Sequence, residues 1–294
     1  MQDFDYWEPD SLAEAVTILS ALKGQAFPLA GGTDLLPKLQ KGQVSGSGVV
    51  NLKHVPELAG LGMERTSLRI GALTTVSSLL ANKEVSTYFP ALAGAARALG
   101  TPQIRNLATV GGNLCNASPA ADLAVVLLAY EGRFKLAGPG GARTLAAQDF
   151  FIGPGQTALT QGEILTAVEI DIPPLHSRSA FLKHGLRKSH EIALVNAAVQ
   201  LTLESGTDKI AATRIALGAV APTPLRVRTA EAVLVGTRGG SAAWDEAAEK
   251  VMAAVAPIDD IRSTGAYRRH IAGVLTRRAL HEAWGEAYET ANHA

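Results

Sequence analysis

The chain has 294 residues, 47% of them hydrophobic and 18% charged, with 27 Lys+Arg balanced by 27 Asp+Glu. That length points to about two domains, and that composition supports a buried core rather than a disordered chain. A formal net charge of zero excludes the broad basic surface that nucleic acid requires, so no nucleic-acid partner is expected.

No apolar run reaches the ~20 residues that cross a bilayer; the longest, Ala117 to Tyr130, is interrupted by Pro119 and Asp122. The acidic start, Met1-Gln2-Asp3-Phe4-Asp5, lacks the basic and apolar regions of a signal peptide. Cys115 is the only cysteine. An intramolecular disulfide, a four-thiolate iron–sulfur cluster and a structural zinc are therefore excluded for this chain alone. A reducing, cytoplasmic setting is expected.

In chain order, Ser11 to Lys23 reads as a helix, with Leu12, Ala15, Val16, Leu19 and Leu22 on one face and a capping box at Ser11-x-x-Glu14. Phe27 to Ala30 is a short strand running into Ala30-Gly31-Gly32-Thr33-Asp34, and Leu35 to Lys41 resumes as a helix with Pro37 in its first turn. That order aims a helix dipole at whatever the glycines hold. Val49 to Leu52 and Ser67 to Ile70 read as strands, Thr75 caps a short helix through Ala81, and Pro90 to Leu99 is a helix ended by Gly100 and Pro102.

A second couplet, Thr109-Val110-Gly111-Gly112-Asn113, precedes Ala120 to Tyr130, a buried helix apolar apart from Asp122. Gly138-Pro139-Gly140-Gly141 marks a tight turn. Ile164, Thr166, Val168, Ile170 and Ile172 alternate with Leu165, Ala167, Glu169 and Asp171, a strand with one buried face that Pro173-Pro174 stops. A domain boundary follows, giving residues 1–175 and 176–294. The second part carries strands at Ala193 to Leu203 and Ile210 to Gly218, then helices at Ser241 to Val255 and Thr264 to Glu289. In the last helix Tyr267, Ile271, Val274 and Arg278 share a side. A three-stranded sheet backed by helices is expected.

The chemistry sits in the two glycine couplets, about eighty residues apart. Adjacent glycines let backbone N–H groups approach a ligand with no Cβ in the way, and N–H groups turned to one side make an anion site. One such loop suggests a phosphate; two suggest a diphosphate gripped from both sides. The chain has no GxGxxG, GxxxxGK[ST], HExxH or GxSxG, and its seven histidines show no metal-ligand spacing. No catalytic residue and no metal site is assigned.

The run from Gly100 through Thr-Pro-Gln-Ile-Arg-Asn-Leu-Ala-Thr-Val-Gly-Gly-Asn-Leu-Cys-Asn-Ala-Ser-Pro-Ala-Ala to Asp122 strongly resembles the FAD-binding subunit of molybdenum hydroxylases. That family includes carbon monoxide dehydrogenase, nicotinate and quinoline dehydrogenases and the flavin domain of xanthine dehydrogenase. Leu29-Ala-Gly-Gly-Thr-Asp34 resembles its other flavin loop, as do Gly162-Glu-Ile-Leu165, Phe181 to Ala193 and Pro257 to Arg268 further segments.

The resemblance implies an α+β fold, a two-subdomain FAD-binding domain of the PCMH/VAO type followed by a smaller α+β domain. It implies non-covalent FAD, its diphosphate between Ala30, Gly31, Gly32, Thr33 and Asp34 on one side and Thr109, Gly111, Gly112 and Asn113 on the other. Asp34 is expected to cap the following helix or to bond backbone. Asn116 and Ser118 are candidates for the polar edge of the flavin or its ribityl chain. Asp122 resembles a position accepting from a ribose or flavin N–H, with an N-cap of the next helix as its alternative. Ile164 and Leu165 are placed on the adenine or isoalloxazine, or in the plain core. Lys183 resembles a basic residue near the flavin ring, or is an ordinary solvated lysine. The lone Cys115 leaves no place for an extra cluster in this chain.

By the same resemblance, the molybdenum cofactor and [2Fe–2S] clusters belong to a large and a small partner subunit, assembled as a dimer of heterotrimers. Electrons are expected to leave the flavin for NAD+, a quinone or dioxygen. The alternative is a stand-alone flavoprotein oxidase or reductase of the same superfamily.

Overall fold

The computed structural model describes residues 4–187 and 191–293. The chain opens with β1 (Asp5–Trp7), α1 (Leu12–Ala21), β2 (Ala26–Leu29), α2 (Leu35–Gln40) and β3 (Gly48–Asn51), whose strands form a parallel sheet in the order β1-β3-β2. Local chemistry starts α1. The Ser11 hydroxyl accepts from the Glu14 N–H at 3.2 Å, and the Glu14 carboxylate accepts from the Asp10 N–H at 3.0 Å. Ala15 and Leu19 then pack with Val50 and Leu52 into a small core.

Next come β4 (Leu61–Glu64) and β5 (Ser67–Gly71), then six helices: α3 (Val76–Ala81), α4 (Lys83–Tyr88), α5 (Pro90–Ala98), α6 (Pro102–Leu107), α7 (Val110–Cys115) and α8 (Asp122–Ala129). The segment closes with β6 (Arg133–Gly138), β7 (Gly141–Ala146), α9 (Ala147–Phe150), β8 (Phe151–Gly153), β9 (Gln156–Thr157) and β10 (Ile164–Asp171). The sheet β4-β5-β10-β6-β7 is antiparallel throughout. Every residue of α8 is buried, which explains why that helix has no polar face in the sequence.

The third sheet, also antiparallel, is formed by β11 (Ser177–His184), β12 (Val195–Leu203), β13 (Ile210–Gly218) and β14 (Leu225–Arg226), and is followed by α10 (Arg228–Ala232), α11 (Ser241–Ala254) and α12 (Gly265–His293). All nine residues of β12 are buried because the sheet is covered on both faces. Ala198 joins the α8 core, whereas Ala197, Val199 and Leu201 join the core under α11 and α12, the period-two division of a strand. Among the described residues no helix is long and apolar enough to cross a membrane.

Five features depart from the sequence expectations or add to them. The second glycine couplet lies inside the first turns of α7 rather than in an open loop. The short helices α4 and α6 escape a pattern reading because six residues hold too few turns to show a period. A bulge between Leu165 and Ala167 breaks the alternation of β10, so Leu165 joins the same core as Val168 and Ile170, while Ile164 packs on the other side into the core beneath the parallel sheet. The two-residue β14, preceded by Pro222 and Pro224, adds a fourth strand to the third sheet, where three were expected.

The last concerns α12, whose buried side carries Arg268, Ala272, Leu275, Thr276, Ala279, Leu280 and Ala283, while Tyr267 and Arg278 are exposed. Small alanines let the helix sit close to the sheet. Buried Arg268 is held by the Leu194 carbonyl and the Asp260 carboxylate, both at 2.8 Å. The Arg262 and Arg268 guanidiniums keep the Asp260 carboxyl well below its ordinary range.

Candidate functional site

Two cavities meet where the parallel sheet faces α7 and β10. The larger is a cleft of about 1020 Å³, solvent-open space included, walled by Ala30 through Leu35, Lys38, Leu99, Ile104, Thr109, Gly112, Asn113 and Asn116. The smaller, about 500 Å³, is an apolar slot between Leu52, Leu58, Leu73, Leu159, Ile164 and Leu165. Pro28, Ala30, Gly112 and Cys115 border both. A long molecule with a charged middle and a flat apolar end fits this arrangement.

The first couplet builds its side of the cleft by close approach. A Cβ on Gly31 would strike the backbone carbonyl of Leu107, so only glycine lets β2 and the end of α6 come this near. Gly32 has φ +76°, a region costly for residues with a Cβ. Beyond it, Leu36 N–H bonds to Gly32 O at 3.0 Å and starts α2. Among the described residues, no protein acceptor takes the N–H of Gly31, Gly32, Thr33 or Asp34. These four donors border a concave space and have a ligand's job open to them.

The second couplet borders the same cleft through Thr109, Gly112 and Asn113 but is bonded differently. Val110 N–H donates to Thr74 O at 2.9 Å, Gly111 N–H to Ala72 O at 2.8 Å, and Asn113 N–H to Thr109 O at 3.0 Å. Gly112 N–H donates to the Thr109 hydroxyl at 3.0 Å, an N-cap bond. All four amides thus have protein partners. Gly111 is needed because a Cβ would press on Ala72 at 2.7 Å. Apart from Thr109 Oγ1 at 2.9 Å, the Cβ position of Gly112 faces open cleft. This side offers a flat floor and side chains. The Asn113 Oδ1 is buried and has no hydrogen-bond partner, an acceptor awaiting a donor.

Asp34 lies exposed on the rim and makes no side-chain cap bond, so the expectation that it caps α2 is not met. Lys38, which the sequence reading passed over, crosses the cleft from α2 and donates to Asn116 Oδ1 at 2.6 Å. Arg105 stays out of the cleft and ties the end of α5, donating to the carbonyls of Arg97 and Leu99 at 3.1 Å each.

Ser118, Asp122 and Lys183 do not line either cavity. Ser118 accepts from the Ala120 N–H at 3.3 Å. Asp122 is the first residue of α8, behind an N-cap at Ala121. Both its oxygens are occupied, Oδ2 by Lys183 Nζ at 2.6 Å and Oδ1 by Asn196 Nδ2 at 2.7 Å. Burial pushes the Asp122 carboxyl up, against the pull of Lys183 and Asn196. Asp122 therefore does not cap α8, and Lys183 is a buried, paired lysine rather than a solvated one. The pair joins the third sheet to α8, and Lys183 also donates to Ala98 O at 3.2 Å, one residue before the cleft-lining Leu99. Removing either partner would strand a buried charge, which costs about 3–5 kcal/mol.

Cys115 borders both cavities, but burial pushes its thiol up to about 12, which leaves a thiol rather than a nucleophilic thiolate near neutrality. Among the described residues no cluster of three or more His, Cys, Asp or Glu can hold a metal ion.

The fold and cleft define a flavin-nucleotide-binding α+β protein, and the comparisons give the family. Residues 2–173 match the FAD binding domain in molybdopterin dehydrogenase, and residues 180–283 match the CO dehydrogenase flavoprotein C-terminal domain. The chain belongs to the FAD-binding medium subunits of the molybdenum hydroxylases. It is 37% identical over 284 residues to the carbon monoxide dehydrogenase medium chain of Afipia carboxidovorans, covering 97% of this chain and 98% of that one. To the putative xanthine dehydrogenase FAD-binding subunit of Escherichia coli (strain K12) it is 34% identical over 286 residues, covering 96% and 97%.

Among solved structures, a Cu,Mo-CO dehydrogenase in its cyanide-inactivated form matches with a TM-score of 0.92 at 37% identity, over 96% of this chain and 98% of that chain. Quinoline 2-oxidoreductase from Pseudomonas putida 86 matches with a TM-score of 0.91 at 31% identity, over 97% and 98%. The residues fit the cofactor that the family binds: free amides at 31–34, a side-chain-free floor at Gly112 and the orphaned Asn113 Oδ1.

Proposed function

We propose that this chain is the FAD-carrying electron-transfer subunit of a multisubunit molybdenum hydroxylase. Residues 1–175 would form its flavin-binding part and 176–294 the C-terminal part. The observation that carries this reading is the set of unclaimed N–H groups at Gly31, Gly32, Thr33 and Asp34, on the wall of a cleft that shares Pro28, Ala30, Gly112 and Cys115 with an apolar slot. When bound, FAD would take electrons singly and release them in pairs.

In this reading the residues divide the work. The Gly31–Asp34 backbone holds the diphosphate, and each N–H bond to a charged oxygen contributes about 1.5–3 kcal/mol before association costs. Asn113 and Asn116 offer amide groups to the polar parts of the nucleotide. The bulged start of β10 sets Ile164 and Leu165 against one of the two flat rings. Cys115 keeps its proton, so attachment is non-covalent. The Asp122–Lys183 pair fixes the third sheet against the cleft rather than acting on the ring as a net charge. Small [2Fe–2S] and large molybdenum partner subunits deliver the electrons, in a dimer of heterotrimers in the cytoplasm, and NAD+, a quinone or dioxygen receives them.

The test is direct. The purified native complex should contain three chain types with molybdenum and iron, and this chain should show flavin absorbance near ~450 nm that acid precipitation releases to the supernatant. A colourless chain, or a fully active lone monomer, would overturn the proposal.

A further inference from the structure

Lys38 carries a charge that the fold itself does not use. It projects from the second turn of α2, lines the cleft, and its only recorded partner among the described residues is the neutral amide oxygen of Asn116, at 2.6 Å. Asp34 stands one helical turn earlier, the spacing at which carboxylate and ammonium commonly pair. Among the described residues no ion pair joins them, and Lys38 reaches across to α7 instead. Among the described residues, the other ionisable side chains on the cleft wall are Asp34 and Cys115, and Cys115 keeps its proton.

A half-buried ammonium held by a neutral acceptor is poised to take an anionic one. A phosphate oxygen makes the shorter, charge-assisted bond. The unclaimed donors at residues 31–34 border the same space. Four neutral amides can orient a diphosphate, but they do not balance its charge, and the carboxylate of Asp34 on the rim opposes it.

We propose that Lys38 is the counter-cation of the cofactor's diphosphate, leaving Asn116 to bind a phosphate oxygen when FAD enters. Asn116 Oδ1 is thereby freed for a ribityl or ring donor. The inference rests on the cleft being the flavin site, and it adds a charged contact to a grip otherwise made of backbone.

The experiment is FAD titration of the flavin-stripped full chain, read by flavin fluorescence at low and high salt, for wild type, Lys38→Gln and Lys38→Arg. Lys38→Gln should weaken FAD binding by about 10- to 100-fold, the loss of one charge-assisted hydrogen bond. It should also flatten the salt dependence, because the screened charge pair is gone. Lys38→Arg should recover to within about tenfold of wild type, since it keeps the charge but not the shape.

The flavin-free melting temperature of Lys38→Gln should stay close to wild type, since the fold loses at most one hydrogen bond to a neutral amide. Unchanged FAD affinity in Lys38→Gln, a loss with unaltered salt dependence, or a flavin-free melting point that falls in step with affinity would each overturn the proposal and leave Lys38 as a strut between α2 and α7. Failure of wild type to bind FAD at all would instead overturn the assignment of the cleft.

Discussion

Between β2 and α2 the backbone turns through Gly31 and Gly32 with four consecutive N–H groups unclaimed, whereas from Val110 to Asn113 at the start of α7 every N–H is bonded to Thr74, Ala72 or Thr109. The first couplet exposes donors. The second spends its donors on structure and contributes instead what it lacks, two side chains. Gly111 lets α7 lie against Ala72, and Gly112 leaves a flat patch of cleft floor beside Ala30. Two Gly-Gly pairs in one site thus serve by different physics, and substitution should tell them apart.

The largest effect is expected at Gly31. A Cβ there meets the Leu107 carbonyl and the adjoining backbone, which cannot rotate away as a side chain could. Gly31→Ala should cost about 3 kcal/mol or more, the upper end for overpacking, and should abolish flavin retention with it. Chemical denaturation and bound-flavin content measure both losses. A variant of normal stability would mean that the two loops have room to separate.

Gly112→Ala should show the opposite balance. Its Cβ meets only the Thr109 hydroxyl closely and otherwise enters the cleft, and alanine raises helix propensity by up to about 1 kcal/mol. Stability should stay within about 1 kcal/mol of wild type, while FAD affinity falls by tenfold or more, as one buried methyl displaces the nucleotide. Melting curves with and without FAD separate the two quantities. Equal loss in both would remove the distinction between the couplets.

The couplets themselves were legible because glycine pairs after a strand or before a helix are conspicuous, and the Ser11 and Thr75 hydroxyls cap their helices as read, although Glu14 closes on the Asp10 N–H rather than on Ser11. The division of labour between the couplets was not. Whether an amide is free depends on carbonyls brought from elsewhere, here Thr74 and Ala72 at the end of β5, and no local pattern around residue 111 announces them. Lys38 escaped for a related reason. A single lysine on a short helix reads as solvated until the fold sets Asn116 opposite it, 78 residues away.

Asp122 and Lys183 were both singled out, but their pairing joins positions 61 residues apart and turned two separate roles into one. The sequence does not single out the buried side of α12, because small alanines carry much of it.

A smaller effect tests the structural half of the comparison. Thr109 caps α7 through its hydroxyl, so Thr109→Ala should lose about 1 kcal/mol of stability, the usual cost of deleting an N-cap, with Thr109→Ser near neutral. If α7 only shapes the floor, FAD affinity should fall no further than that stability loss explains. A much larger drop would show the Thr109 hydroxyl or the Gly112 N–H acting on the cofactor itself.

The smallest effect concerns the strand that supplies the apolar slot. Arg143 on β7 grips Glu163 with Nε to Oε1 at 2.6 Å and a second nitrogen to Oε2 at 2.7 Å, and Thr160 N–H adds a bond at 2.6 Å. Led by the Arg143 hydrogen bonds, these hold the Glu163 carboxyl down at about 2, against an ordinary value of 4.5. A folded-state value below the unfolded one stabilises the protein above about pH 4.5, and that contribution disappears as pH falls from there toward 2.

Glu163→Gln should therefore lie about 1 kcal/mol below wild type at neutral pH, allowing for solvent screening of the pair, and the two stability curves should converge on acidification. Denaturant titrations from pH 7 down to about 3 would follow the gap. A gap that stays constant across that range would assign the loss to misshapen packing beside Ile164, and would make the slot, rather than the charge clamp, the feature that Glu163 maintains.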